Sequence, residues 1–209
     1  MNKRIAALPL IIIIGLGILG FAYAMWKDQA VIKGTVEMGS LNMAFDYVEP
    51  PMCAEFYKDP ATGELIPGEY EDKDVGQQSC WYEDYVKDTH SGEEGFKTLT
   101  IDVTNAYPSY RVHVTFIVHN IGTVVGYLTE YNFEDYGSDE PLTWNSALMA
   151  FVNEAGQPVI DIEVTNTLPI QIDPCHSNKM EIDMHFKQPL LEWYTYKFKV
   201  TINCVNELE

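Results

Sequence analysis

Strict alternation of apolar and polar residues dominates the chain after residue 95 and restricts it to β-structure more than any other feature. Residues 111–118 place valine or phenylalanine at every even position, and the same period of two recurs at 98–103, 179–186 and 193–204. A strand with this period has one apolar and one wet face, which is typical of an antiparallel sheet packed on one side.

Shorter segments extend this pattern to most of the chain. Further strands are predicted at 31–38, 41–48, 122–131, 147–152 and 159–165, and no stretch after residue 24 has a convincing helical period. Nine to ten short antiparallel strands separated by turn residues predict an all-β jelly roll or β-sandwich. Residues 59–95 combine glycine, proline and many acids with weak alternation. We therefore predict an irregular acidic insertion there.

The N-terminus has the layout of a secretory signal peptide. Lys3 and Arg4 precede an uncharged apolar run over 5–21, which ends in Ala22-Tyr23-Ala24. This order predicts a signal peptide over 1–24, cleaved between Ala24 and Met25, and a secreted, extracellular or cell-surface protein. The alternative is an uncleaved anchor, since the apolar run is barely long enough to span a bilayer. The Ala-x-Ala ending favours cleavage, so membrane contact is expected only through the signal peptide.

Charge limits the partners of the mature chain. Cleavage would leave 185 residues and change the formal net charge from −18 to −20. A surface this acidic repels nucleic acid and anionic lipid, so neither is expected as a partner. The length suits one domain, which we place at 35–209.

Four cysteines, Cys53, Cys80, Cys175 and Cys204, lie in a chain predicted to be exported. Disulfides persist outside the cytoplasm, and four thiols allow three pairings. We favour Cys53–Cys80 and Cys175–Cys204, because each pair closes a modest loop within one half of the chain. A zinc site is the rival, but no two cysteines are two to four residues apart and only His176 adjoins one.

The sequence lacks the motifs of common enzymes. It contains no His-Glu-x-x-His, no Gly-x-Ser-x-Gly and no phosphate-binding glycine loop. We therefore predict a non-enzymatic protein with no catalytic residue, metal or cofactor. The acidic stretches 69–74 and 134–140 offer oxygen ligands of the kind that calcium binds, but neither has the spacing of a twelve-residue calcium loop, so solvated acidic loops are favoured over a calcium site.

Residues 25–34 form a β-capable segment at the start of the mature chain, with no earlier strand to pair with. Such a segment either folds back as an edge strand or pairs with a sheet edge of another molecule. The residues alone leave both outcomes open and slightly favour folding back.

Several short motifs resemble the TasA and camelysin family of exported filament proteins. The opening motifs are Trp26, Asp28, Gly34-Thr35-Val36 and Gly39-Ser40-Leu41-Asn42, and the later ones are Tyr107-Pro108-Ser109-Tyr110, the stretch 116–123 containing Asn120-Ile121-Gly122-Thr123, and the strand pair at 179–186 and 194–202. The chain is most similar to the archaeal bundling pilus branch of that family. It departs from the family between Cys53 and Cys80, where the insertion has no counterpart.

The resemblance implies a jelly-roll subunit that polymerises by donor-strand complementation, in which the N-terminal segment of one copy completes the sheet of the next. Carried over, the donor is 25–34, with Trp26, Ala30 and Ile32 facing inward. The residues assigned to this inter-subunit strand are Met25, Trp26, Asp28, Ala30, Val31, Ile32 and Gly34.

The implied function is structural. The chain is expected to be a subunit of an extracellular filament or pilus acting in cell adhesion or a biofilm matrix. Its partners are identical subunits and, through bundling, other filaments or cells. Camelysin has been regarded as a peptidase, but that activity is not carried over to a chain without a metal-binding motif. The alternative is a monomeric cell-surface adhesion or binding module whose N-terminal strand folds back on its own domain.

Overall fold

The alternating segments form antiparallel strands in a computed structural model, which describes residues 16, 39–59, 61–62, 65–67 and 76–207. These residues contain thirteen strands: β1 (Met43–Asp46), β2 (Met52–Lys58), β3 (Leu65–Pro67), β4 (Gln77–Lys87), β5 (Glu94–Thr104), β6 (Arg111–Asn120), β7 (Gly126–Asp135), β8 (Thr143–Asn145), β9 (Ala150–Val152), β10 (Pro158–Val164), β11 (Ile170–Ile172), β12 (Ser177–Phe186) and β13 (Thr195–Val205). Every pairing between them is antiparallel. All of these strands belong to the compact unit Gly39–Glu209.

The strands form a sheet that folds over on itself. The order is β11–β7–β13–β5–β1–β6–β12–β10–β9–β8, with β4 beside β5, β2 beside β6 and β3 beside β2. Rings from strands that are not neighbours meet across the interior: Phe116 lies 6.0 Å from Tyr131, and Phe151 lies 4.6 Å from Phe198. The two halves therefore face each other, and the predicted all-β sandwich of jelly-roll type is confirmed.

The short strand β1 joins the two halves. Its Phe45 lies opposite Phe96 of β5 on one side and Val118 of β6 on the other. The Phe45 side chain is fully buried, with its ring 5.6 Å from that of Phe116. A single aromatic side chain thus packs where both halves of the sheet converge.

The period-two pattern matches the burial. On β6 the four even-numbered apolar residues are at most 1% exposed, and the same holds for the apolar face of β12. The buried residues of these two strands are Val112, Val114, Phe116, Val118, Met180, Ile182, Met184 and Phe186. Each buried aliphatic or aromatic side chain contributes about 1.5–3 kcal/mol, so the alternation accounts for the core.

The prediction of an irregular insertion at 59–95 is wrong at 65–67, 77–87 and 94–95, which lie in strands. That range holds β3, all of β4 and the start of β5, and β4 pairs with β5 from Gln77 opposite Thr104 to Lys87 opposite Glu94. The alternation of β4 is weak because only half-buried side chains, such as Cys80 and Tyr82, mark its inner face. A strand at the margin of a sheet loses much of the burial contrast that reveals central strands.

One predicted disulfide is present. Cys53 of β2 is bonded to Cys80 of β4, with their Cα atoms 6.0 Å apart. The bond closes a loop over a sequence separation of 27 residues. By restricting the unfolded chain, a loop of this size contributes about 3.5 kcal/mol of stability.

The predicted Cys175–Cys204 disulfide is wrong, because both thiols are free. Leu128 of β7 pairs with Ile170 of β11 on one side and with Cys204 of β13 on the other. Two strand spacings, about 10 Å, therefore separate β11 from β13 at this level. Cys175 lies beyond the end of β11. A disulfide with Cys204 would require the Cα atoms of the two cysteines to lie within about 7 Å of each other. Sequence proximity suggested a pairing that the intervening strand prevents.

Candidate assembly interface

Four strands have only one partner strand in the described part of the chain: β3, β4, β8 and β11. Three of them, β3, β8 and β11, are three residues long, whereas β4 has eleven residues. Very short edge strands are a common protection against unwanted pairing, and a long edge offers a row of backbone donors and acceptors. The outer side of β4 is therefore the candidate interface, and we name it the β4 edge.

The alternation of hydrogen bonds along β5 shows which backbone groups of β4 point away from β5. The amide of Asn105, just after β5, donates to the carbonyl of Tyr194 at 3.1 Å, on the side of β13. In an antiparallel sheet, the backbone groups of successive residues point to opposite sides of the strand. The odd-numbered residues of β5 therefore bond to β13, and its even-numbered residues bond to the odd-numbered residues of β4. The backbone groups of Gln78, Cys80 and Tyr82 therefore point toward the β4 edge.

Exposed aromatic side chains accompany this edge. Trp81 is 39% exposed and its indole N–H donates to the Glu83 carboxylate at 2.8 Å. That hydrogen bond is the main reason why the pKa of Glu83 is lowered. Further along β4, Tyr85 is 53% exposed. The edge is thus partly apolar in a protein whose surface is otherwise strongly acidic.

Tyr82 ties the β4 edge to the core. Its ring stacks on Phe45 at 5.3 Å, and its hydroxyl oxygen accepts a hydrogen bond from the amide of Ile117 in β6 at 3.3 Å. Burial raises the pKa of Tyr82 to about 12. The strand is therefore held on its inner face while its outer side stays unpaired among the described residues.

The chain enters the domain next to the end of β4. Asp88 follows β4 directly, and its carboxylate accepts hydrogen bonds from the Ser40 hydroxyl at 3.2 Å and the Asn42 side-chain amide at 3.0 Å. The amides of His90 and Ser91 donate to the same carboxylate, each at 2.9 Å. Residues 40–42 are thereby fixed at the Lys87 end of the β4 edge.

Asp88 is an almost fully buried carboxylate. Burial alone would raise the pKa of Asp88, but the hydrogen bonds from Ser91, Asn42, His90 and Ser40 outweigh it and hold the pKa well below its usual range. Because the folded-state pKa is depressed, the stabilisation is present at neutral pH. It is lost as the pH falls through the ordinary aspartate range near 4 and below.

We expect Asp88→Asn to lower the free energy of unfolding by about 2 kcal/mol at pH 7, since an amide accepts these hydrogen bonds less strongly than a carboxylate. Denaturant titrations of both proteins between pH 7 and pH 2 check this. The difference between them should shrink as the pH falls below 4. A difference that stays constant over this range would contradict the assignment.

The loop before β7 also fixes the entry of the chain. The amide of Thr123 donates to the carbonyl of Ser40 at 2.8 Å, and the amide of Gly122 donates to that of Asn42 at 3.0 Å. A side chain at Gly122 would collide with backbone, since its Cβ would lie 2.4 Å from the Ser40 oxygen. The buried Asn120 side chain accepts the Gly122 amide and donates to the Val124 carbonyl, which explains the Asn-x-Gly motif.

The residues predicted for the donor strand lie outside the described residues, as do the predicted cleavage site and the strand at 31–38. These residues are Met25, Trp26, Asp28, Ala30, Val31, Ile32 and Gly34, with Ala24 at the cleavage site. Asp88 and the β4 edge itself were missed from sequence. The Asp-x-x-Ser spacing of Asp88 and Ser91 is the signal that could have indicated a side-chain-capped turn.

The described residues contain neither a group of potential metal ligands nor a helix able to span a membrane. Over 39–59 and 76–207 and the short described pieces, no three His, Cys, Asp or Glu side chains are grouped so as to hold a metal ion. Within that same portion of the chain, no helix has the length and apolar character needed to cross a bilayer. The Cys53–Cys80 disulfide is the covalent feature expected of an extracellular or cell-surface β protein.

Comparison with known proteins adds little to this geometry. No family model and no curated protein matches the chain. Among solved structures, it is similar to the envelope protein VP37 of White Spot Syndrome Virus, with 12% sequence identity over 78% of this chain and 98% of that chain and a TM-score of 0.24. A TM-score this low carries no argument about function.

Proposed function

We propose that the chain is exported, loses residues 1–24 and serves as a non-enzymatic structural subunit of an extracellular filament. Each copy donates residues 25–34 to the β4 edge of the next copy. The observation that supports this most is the length of β4, eleven residues against three for the other strands with a single partner. The resemblance to exported filament proteins points in the same direction.

Chain length favours pairing between copies over pairing within one copy. All strand pairs of the domain are antiparallel, and an antiparallel donor covering β4 places residue 25 near Lys87 and residue 34 near Gln77. The two ends of an eleven-residue strand lie about 33 Å apart. Gly39 enters near Lys87, and the five steps from residue 34 reach at most about 18 Å. This limit on reach supports donation of a full-length antiparallel strand from another copy.

The energetics allow such an assembly. A donor of this length makes about six to eight ladder hydrogen bonds, each contributing roughly 0.5–1.5 kcal/mol. Burial of Trp26 and Ile32 adds about 1.5–3 kcal/mol each. The entropy lost when the segment becomes ordered offsets part of this favourable free energy. Repulsion between the acidic subunits is screened beyond about 8 Å at physiological salt. Assembly should therefore strengthen as salt is added.

The alternative is a monomeric surface module with its N-terminal strand folded back, and β7 offers the place for it. On the side opposite β13, β11 pairs only with the first three residues of β7. The remaining residues of β7, 129–135, have no partner strand on that side among the described residues. Ser40 lies beside the loop that leads into β7, so residues just before Gly39 can reach this edge.

A synthetic peptide of residues 25–34 tests the proposal. Added in excess to secreted protein, the peptide should occupy the β4 edge and stop elongation, which light scattering and electron microscopy would follow. The matched control is the same peptide with Ile32→Asp, which should leave elongation unchanged. Equal elongation with both peptides, or a protein that remains monomeric in their absence at all concentrations, would contradict the proposal.

A further inference from the structure

One half-buried lysine of the sandwich lies against an asparagine side chain. The side-chain nitrogen Nζ of Lys97, in β5, lies 2.5 Å from Oδ1 of Asn42 and 2.6 Å from the carbonyl oxygen of Met43. Lys97 forms no salt bridge with a described carboxylate, in contrast to five other lysines: Lys87, Lys179, Lys187, Lys197 and Lys199. Its nitrogen is instead held by two uncharged acceptors, one of which is a side-chain amide.

The buried carboxylate of Asp88 adjoins the same side-chain amide. Its Oδ2 atom accepts a hydrogen bond from Nδ2 of Asn42 at 3.0 Å. A carboxylate accepts hydrogen bonds and a lysine ammonium donates them, so the two neighbours fix the orientation of the Asn42 amide. Its oxygen faces Lys97 and its nitrogen faces Asp88. The three side chains therefore place an amine, an amide and an acid in direct contact.

Burial prepares Lys97 to act as a nucleophile. Desolvation lowers the pKa of Lys97, and interactions with Cys204 and Asp88 offset only part of this effect. Because only the uncharged amine has a free electron pair, a lower pKa increases the fraction that can attack a carbonyl carbon. That carbon, Cγ of Asn42, is one bond beyond Oδ1, so Nζ lies at most about 3.7 Å from it. Reacting atoms held about 3–3.5 Å apart are in a geometry close to attack.

We propose that Lys97 and Asn42 form an isopeptide bond within the domain. The uncharged Nζ atom attacks Cγ of Asn42, the bond from Cγ to Nδ2 breaks, and one molecule of ammonia leaves. One amide is exchanged for another, so the reaction needs no oxidant, reductant or co-reactant. Once both nitrogens are attached to Cγ, Asp88 takes a proton from the attacking nitrogen and returns it to the leaving one. The product keeps one N–H group, which suits the hydrogen bond to the Met43 carbonyl.

The bond connects the segment that enters the domain to a central strand. Asn42 directly precedes β1, whereas Lys97 lies in β5. In the proposed filament, a pull on the donated segment enters the domain through residues 39–42 and reaches β5 through this covalent link. Only this mechanical consequence rests on the proposed function, since the bond itself depends on contacts within one domain.

Mass spectrometry of the secreted chain, with its disulfide reduced, tests the bond. Trypsin should release residues 34–58 joined to residues 88–111, because a modified Lys97 is no longer a cleavage site. The joined peptide should be lighter than the sum of its two parts by one ammonia. Release of the two parts separately, with cleavage after Lys97, would overturn the proposal.

Two lysine variants provide the matched comparison. Lys97→Arg should abolish the joined peptide, because a guanidinium group keeps its charge and does not attack the amide. Lys87→Arg should retain the joined peptide, since Lys87 is an exposed lysine paired with Glu94. A joined peptide in Lys97→Arg would show that Lys97 does not form the bond.

The rate of bond formation tests the part assigned to Asp88. A chain purified in denaturant and then refolded starts without the bond, and the joined peptide should accumulate with time. Asp88→Ala should slow this accumulation roughly a hundredfold in a domain that circular dichroism shows to be folded. An unchanged rate would contradict proton transfer by Asp88. If Asp88→Ala does not fold, the two lysine variants still decide whether the bond exists.

Failure of the bond and failure of the filament proposal have different signatures. Lys97→Arg keeps residues 25–34 and the β4 edge, so it should still form filaments. Filaments from a chain that never yields the joined peptide would reject the isopeptide bond alone. A monomeric chain that yields the joined peptide would support the bond and reject the filament proposal.

Discussion

Ile32→Asp in the secreted chain is expected to abolish filaments while the domain stays folded. Ile32 is one of three predicted inward-facing residues of the donor, and a carboxylate there would be moved from water into the proposed interface between two copies. Burying an unpaired charge costs several kcal/mol, which is comparable to the whole surplus available for association. The protein should therefore remain monomeric at concentrations where the unmodified chain polymerises, as measured by analytical ultracentrifugation.

Ile32→Val serves as the matched control, because it keeps the β-branched shape and removes one methylene. It should polymerise at nearly the same concentration as the unmodified chain, since such changes cost about 0.5–1.5 kcal/mol. The thermal unfolding temperature of all three proteins should agree. Filaments of normal length from Ile32→Asp would show that this side chain does not face a neighbouring subunit.

Phe45→Ala should cause the largest loss of stability among single substitutions considered for the domain. Phe45 is fully buried in β1, stacks on Tyr82 of β4 and contacts Phe116 of β6. Removing this ring leaves a cavity where both halves of the sandwich meet. Truncation of a buried phenylalanine costs about 3–5 kcal/mol, and denaturant unfolding followed by circular dichroism would measure it.

Leu148→Ala is the control for this prediction. Leu148 is 56% exposed in the turn between β8 and β9, so its truncation should change the free energy of unfolding by less than about 0.5 kcal/mol. Equal effects of the two substitutions would mean that β1 is not the junction of the two halves. Because Phe45 also supports Tyr82, the Phe45→Ala protein should assemble poorly even when it is still folded.

The alternating pattern was sufficient to predict the central strands. β6, β12 and the first half of β13 have one buried and one partly exposed face, so their apolar residues recur with a period of two. The strands β2, β3, β8 and β11 were not predicted, and three of these four have only three residues, too few to show that period by themselves. β4 was not predicted, because its inner face is only half-buried.

Tertiary geometry explains the other differences from the sequence predictions. Nothing local in the sequence indicates that β7 separates Cys175 from Cys204, since the strand order is set by long-range pairing. Contacts between distant segments likewise escape a reading of the local sequence: Ser40 and Asn42 bond to Asp88, and the ring of Tyr47 lies against that of Tyr85. A sequence pattern predicts which face of a strand is buried, but it does not predict which strand lies next to it.

Mixing two deficient proteins tests strand donation between copies most directly. One protein lacks residues 25–34, and the other keeps them but carries Trp81→Lys and Tyr85→Lys, which place charges along the β4 edge. Each should be monomeric alone, and together they should form a one-to-one dimer that does not grow, as measured by ultracentrifugation. Two monomers that ignore each other, or a protein without residues 25–34 that still forms filaments, would contradict the account.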